Sequence, residues 1–456
     1  MFDFDSILML TGLLTIISLV YFYRQNDELP LVLTFLYISG GVSRYWAVIN
    51  GNSYWAYVAY SRNIFEMSNE LGLVALNVFL MGTAVFVLSY ILWSSVIPRP
   101  TFTIDHKGLF KRYVLTRRTV ILILFSIFFI ISFYTKVLLG SLLSTGSTLS
   151  TNISYLYYLP FAIGGVILLL FMVFRNIEIK NDGLSKLVFA VMIVILGYVS
   201  YNPIARFSFL SWAVALGVIF MKDKAPGLKI RVYSVGLVLL LTVFSLAGLY
   251  RTPGASTQPI GVQLDMAWER FKTAEDQNLL DGLMMVLQVY PKNLNYQYGF
   301  QHLEILLRPI PRVLWPGKPL GGYANKLGLN DNMQYGGTVG ISESLYGTFY
   351  GEGGIIGIIL ISFIYGFIYA KINRSAERYK SDIQYLIKGM LLASTTAIIR
   401  GGDLAGIVAF ICMSYWPVFI FIGQYKGFTI KYTLWYQKFN RLRSGFQQTQ
   451  DTQPVG

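Results

Sequence analysis

Leu71–Val96 reads LGLVALNVFLMGTAVFVLSYILWSSV, a run of 26 residues with no charged side chain. As an α-helix it would rise about 39 Å, more than the ~30 Å hydrocarbon core of a bilayer. Lipid offers backbone N–H and C=O groups no partner, so a run of this kind crosses as a helix that pairs them internally.

The rest of the chain has the same character. It is 54% hydrophobic, 16% aromatic and only 13% charged, which excludes a soluble globular domain and a disordered chain. Apolar runs of roughly 17–25 residues divide it into about eleven spans: Ser6–Tyr23, Pro30–Val48, Leu71–Val96, Thr119–Leu139, Tyr155–Phe174, Leu187–Tyr201, Arg206–Met221, Val232–Tyr250, Ile355–Ala370, Tyr385–Ile399 and Leu404–Gly423. Arg44 and Lys388 interrupt the second and tenth. The expected fold class is an all-α polytopic membrane protein. Residues 1–250 carry helices 1–8, 251–354 form one large polar segment, 355–425 carry helices 9–11, and 426–456 form a basic tail.

The net charge of +14 is a topology signal rather than a nucleic-acid footprint, because Lys and Arg concentrate in alternate loops. Arg99, Lys107, Lys111, Arg112, Arg117 and Arg118 share one loop; Lys222, Lys224, Lys229 and Arg231 share another; Lys371, Arg374, Arg378 and Lys380 a third. These loops, with Arg175, Lys180, Lys186 and the tail, lie on one face if the amino terminus is outside and the carboxyl terminus inside. The acidic start, Met1-Phe2-Asp3-Phe4-Asp5, agrees with an outside terminus and lacks the positive n-region of a cleavable signal, so the first helix is expected to remain as an anchor. Cys412 is the only cysteine, so no disulfide framework or thiolate metal site is expected. His106 and His302 fall on opposite faces and cannot share a metal.

Residues 251–354 are too long, polar and proline-broken to lie in lipid. Val262–Tyr290 reads as one or two amphipathic helices, and His302–Arg308 as a short helix ended by Pro309 and Pro311. Arg308-Pro309-Ile310-Pro311-Arg312-Val313-Leu314-Trp315-Pro316-Gly317-Lys318-Pro319 follows, then a stretch rich in glycine from Gly321 to Gly340. The outward face therefore carries Arg206, Arg251, Arg308, Arg312, Lys318 and Arg400, on the side where the charge bias predicts few cations. Each alone reads as a side chain snorkelling to headgroups. Together they suit a lipid-linked phosphate or pyrophosphate, because the guanidinium fork pairs bidentately with phosphate oxygens. Glu304, Glu343, Glu352 and Asp403 are the acidic candidates on this face. The bland role for Asp403 is to fix a neighbouring guanidinium; the sharper one makes Glu343 or Asp403 a general base for a sugar hydroxyl. His302 is a rival base. Trp315 suits sugar stacking or interface anchoring. No acidic cluster at metal-ligand spacing occurs outside, so neither metal nor cofactor is expected.

Pro311-Arg312-Val313-Leu314-Trp315-Pro316-Gly317-Lys318-Pro319, then Val339-Gly340-Ile341-Ser342-Glu343-Ser344-Leu345-Tyr346-Gly347 and Gly353-Gly354-Ile355-Ile356-Gly357, resembles the O-antigen polymerases of the Wzy type and the related enterobacterial common antigen polymerase. Arg400-Gly401-Gly402-Asp403 in the penultimate outer turn is similar too. The specific likeness covers roughly the last third of the chain. It implies a metal-independent, inverting glycosyltransferase of GT-C type at the periplasmic face of a bacterial inner membrane. Such an enzyme moves a growing glycan from one undecaprenyl pyrophosphate onto another lipid-linked repeat unit, with Arg312, Arg400 and Arg206 the leading pyrophosphate ligands. Its partners would be those lipid-linked donor and acceptor glycans and the membrane lipids, with a Wzz-type chain-length regulator a further candidate and no nucleic acid. An O-antigen ligase is the first alternative and a flippase the second; the flippase reading expects charges at mid-membrane, which most spans lack.

Overall fold

The computed structural model describes residues 2–54, 65–101, 108–145, 159–176, 183–200, 207–249, 258–272, 279–310, 314–318, 321–327, 343–379, 382–401 and 403–450. Those residues contain helices and connections and no strand. The first three helices are α1 (Phe4–Gln25), α2 (Leu29–Ile49) and α3 (Asn69–Val96). Their ends follow from local chemistry. Asp3 accepts from the Ser6 N–H at the start of α1, left-handed Asn26 closes it, and Ser68 accepts from the Leu71 N–H at the start of α3.

Next come α4 (Leu109–Thr145), α5 (Ile163–Asn176), α6 (Gly183–Ser200), α7 (Phe207–Met221) and α8 (Pro226–Leu249). Residues 258–310 hold α9 (Ile260–Lys272), α10 (Leu279–Val289) and α11 (Phe300–Leu307). The chain ends in α12 (Ser344–Ala376), α13 (Asp382–Arg400) and α14 (Leu404–Gln450). Among the described residues, six helices are long and apolar enough to cross a membrane: α1, α2, α3, α4 as far as Thr135, α12, and α14 as far as Tyr432. Shorter apolar helices cover Pro160–Asn176, Ala190–Ser200, Phe209–Met221 and Leu279–Val289. The protein is a helical, membrane-embedded chain.

Two buried clusters organise the packing. One joins α1, α2 and α3 to α10 and α12; the other joins α4, α5, α6 and α7 to α13 and α14. Glycines set the closest approaches, as expected where small residues let helix backbones meet. A Cβ at Gly82 of α3 would lie 2.3 Å from the Tyr346 ring, and one at Gly366 of α12 would lie 2.6 Å from Ser89. At the far end of α12 a buried polar knot closes the same group: Asp27 accepts from Tyr90 at 2.5 Å and from Asn373 at 2.7 Å. Nearby, Lys229 of α8 donates to Glu28 at 2.8 Å.

Two helices stand within Val262–Tyr290, but α10 is not the solvated amphipathic helix that its spacing predicts. All of Leu279–Val286 is buried, against α3 and α12. The polar residue that marks its outer face in sequence, Asp281, is 0% exposed and paired with Arg44, 237 residues away. Arg44 Nε donates to one carboxylate oxygen at 3.0 Å and Nη2 to the other at 2.8 Å, with the Ser53 carbonyl at 3.1 Å. A π-helical turn at Ile38–Val42 precedes Arg44, and Gly40 within it packs on Leu279. The arginine that interrupts the second span is thus neutralised by the segment that follows the eighth.

Removing either partner leaves an uncompensated buried charge. Arg44→Ala or Asp281→Ala is expected to cost about 3–5 kcal/mol, and the pair Arg44→Met with Asp281→Leu to recover most of it. Thermal unfolding midpoints of the detergent-purified variants measure both.

Candidate functional site

The site is built where α12 breaks. Gly353 (φ −171°, ψ 32°) and Gly354 (φ 63°, ψ −145°) leave helical geometry. A side chain at Gly354 would meet the left-handed conformation and the Tyr296 hydroxyl, 2.9 Å from a Cβ there. A break inside a long apolar helix frees backbone groups that must be paired again. Here the turn before α11 pairs them: the Gln297 N–H donates to the Gly351 carbonyl and the Tyr298 N–H to the Glu352 carbonyl, both at 2.9 Å.

Glu352 completes the junction. Its buried carboxylate accepts from the Gly299 and His302 backbone N–H groups, and so caps the N-terminus of α11 from another element. It also lies 2.8 Å from His302 Nδ1, while His302 Nε2 lies 3.2 Å from the Tyr365 hydroxyl. With Glu352 ionised, Nδ1–H donates to it and Nε2 remains the basic nitrogen.

α11 then carries Glu304 and Arg308 one turn apart on a single face, the i, i+4 relation. Arg308 Nη1 donates to Asp403 Oδ2 at 2.8 Å, and about a third of its side chain stays exposed. Asp403 stands immediately before α14, where its charge also complements the helix N-terminus. Gly321 allows the loop to close on it: a Cβ there would fall 2.3 Å from an Asp403 carboxylate oxygen. Lys318 Nζ donates to the Arg308 carbonyl at 2.7 Å and the Ile310 carbonyl at 2.8 Å, collecting carbonyls left open at the end of α11. Glu304, Leu307, Arg308, Lys318, Gly321 and Ala405 line one narrow cleft.

Of the six expected cations, Arg308 and Lys318 therefore meet in one cleft. Arg400 ends α13 and is followed by left-handed Gly401, but it does not line the cleft. Arg206, Arg251 and Arg312 lie outside the described residues. The guanidinium that Asp403 holds is that of Arg308. Trp315 is 37% exposed, in the turn where its carbonyl accepts from the Lys318 N–H.

Glu343 is sealed rather than presented. It is 3% exposed, with the Tyr323 N–H at 3.5 Å and the Thr348 hydroxyl at 3.4 Å, and it does not line the cleft. Burial, and then the Asp403 carboxylate, push its pKa up to about 8. At neutral pH it is largely a protonated hydrogen-bond donor. Glu304 is 6% exposed; burial raises its pKa, and Lys326, 3.4 Å away, opposes that shift. The Glu304–Arg308 spacing was the available signal for this face, while the Glu352–His302 contact had none, because it depends on the break. No group of three or more His, Cys, Asp or Glu side chains suited to a metal occurs among the described residues.

No family model, curated protein or solved structure matches the chain.

Two measurements test this arrangement. A carboxyl whose folded pKa lies above its unfolded value stabilises least once pH has risen through the folded pKa. Glu343→Gln, which keeps the neutral form, should therefore gain melting temperature relative to the parent as pH rises from about 5 to about 8, and level off above. Gly321→Ala should displace Asp403 from Arg308 and cost about 1–3 kcal/mol, the range for overpacking, read as a lowered thermal unfolding midpoint.

Proposed function

We propose that the chain polymerises undecaprenyl-pyrophosphate-linked oligosaccharide repeat units at the periplasmic face of a bacterial inner membrane, as a metal-independent, inverting glycosyltransferase. The observation that carries this reading is the cleft between the end of α11 and the start of α14, where Arg308 and Lys318 stand with Glu304 in a membrane-embedded protein. A departing lipid pyrophosphate develops negative charge, and without a divalent metal fixed cations must meet it. Arg308 and Lys318 supply that charge from the cleft, and Arg400 is a further candidate. Arg206, Arg251 and Arg312 complete the set from the outer helix ends and the proline-rich element.

In this reading about eleven spans place the amino terminus in the periplasm and the carboxyl terminus in the cytoplasm, and residues 251–354 form the periplasmic lid. Asp403 orients the Arg308 guanidinium for bidentate contact. Glu343 or Asp403, in the ionised form, is the candidate base. Trp315 offers its exposed ring to a sugar face. The donor's own anhydride drives the transfer, so no nucleotide is required. A Wzz-type regulator remains a candidate partner.

The experiment is deletion of the gene and inspection of the surface glycan ladder, with complementation by variants. Arg308→Ala, Arg312→Ala and Arg400→Ala should each leave protein level intact and cells with single-repeat glycan; Arg→Lys should rescue only part, because a point charge loses the bidentate fork. Long ladders in all three would sink the pyrophosphate assignment. The ligase reading is favoured by one observation, the Glu352–His302 pair, whose carboxylate orients an imidazole. His302→Ala separates the two: loss of transfer with Glu343→Ala and Asp403→Ala unaffected would favour the ligase.

A further inference from the structure

Of the three carboxylates near the cleft, only Glu304 lines it. Asp403 is bound to Arg308 at 2.8 Å, and Glu343 lies behind Tyr323 and Thr348. Glu304 is placed differently from both. It lines the cleft with Arg308 and Lys318, and its Oε1 is buried with no hydrogen-bond partner. Lys326 Nζ forms an ion pair with that oxygen at 3.4 Å. A carboxylate partnered by one ammonium still has lone pairs open to a ligand donor. The Tyr290 hydroxyl, buried among Glu343, Glu304 and Glu352, is also without a partner. The cleft therefore presents cations for an anion and, one turn before Arg308, a carboxylate that can accept from a hydroxyl.

We propose that Glu304 is the catalytic carboxylate that accepts the proton of the acceptor sugar's hydroxyl, a role resting on the polymerase reading. The proton passes to a Glu304 oxygen as the hydroxyl oxygen bonds to the donor's anomeric carbon. The bond from that carbon to the phosphate oxygen breaks, and its electron pair leaves on the lipid pyrophosphate beside Arg308 and Lys318. Glu304 then returns the proton to water. Placing the base one turn before Arg308, at the end of α11, holds it in fixed relation to that cation. Burial raises the Glu304 pKa, which strengthens the base, and the charges facing it are Lys326 from the loop, Asp403 before α14 and Glu352 of α12.

The test compares Glu304→Gln with the parent in the deletion strain, in isolated membranes supplied with lipid-linked repeat units, and in purified protein titrated with geranylgeranyl pyrophosphate as a prenyl pyrophosphate probe. The expected result is normal protein level, probe binding within about twofold of the parent, and polymer formation reduced about 100-fold or more, the range for loss of a general base. Near-normal ladders from E304Q, where the parent gene restores them, overturn the role of Glu304 and leave the polymerase reading standing. A parent gene that restores no ladder overturns the polymerase reading and this role with it. Should E304Q fail to accumulate, E304D decides. Its carboxylate, drawn back by one methylene, should bind the probe normally yet transfer at least about tenfold more slowly, and full activity would overturn the proposal.

Discussion

The site depends on satisfying backbone groups where a membrane helix stops being a helix. α12 loses helical geometry at Gly353 and Gly354, and in an apolar setting the freed carbonyls of Gly351 and Glu352 could not persist alone. The Gln297 and Tyr298 N–H groups take them up. That exchange fixes where α11 begins, and Glu352 secures it by accepting from the first N–H groups of that helix. Once α11 is anchored, its length and pitch place Glu304 and Arg308 against the loop before α14.

A second constraint acts from the other side. The Arg44–Asp281 pair holds α10 inside the bundle rather than on its surface. Buried ion pairs add little net stability against a hydrophobic isostere, but they are unforgiving about partners. This one specifies which part of the late segment enters the core. α10 in turn brings Val286 and Tyr290 against the first turns of α12. Packing, charge pairing and backbone capping thus converge on one corner of the molecule.

Much of this was legible in the residues. Uncharged runs such as Leu71–Val96 required helices in lipid, and the two prolines after Arg308 required α11 to end there. The glycines at 353 and 354 marked the return towards the membrane. Two of the cations singled out in the sequence, Arg308 and Lys318, do share a cleft. What could not be read was how each charge is used. Lys318 gives two hydrogen bonds to carbonyls, Asp403 binds an arginine far from it in sequence, and Glu343 is buried behind Tyr323. Long-range pairing of this kind leaves no periodic trace.

The sequence by itself determined the class of structure, because hydropathy acts locally along the chain. Asp281 shows where that reasoning ends: a carboxylate on an apparently amphipathic helix looks solvated until its arginine is known. Only the tertiary structure decided that α10 is buried, that the break in α12 is capped by residues 297–299, and that the cleft holds Glu304 rather than Glu343 beside the cations. The reason is physical. Burial and pairing are properties of groups brought together across hundreds of residues, and no single segment contains both partners.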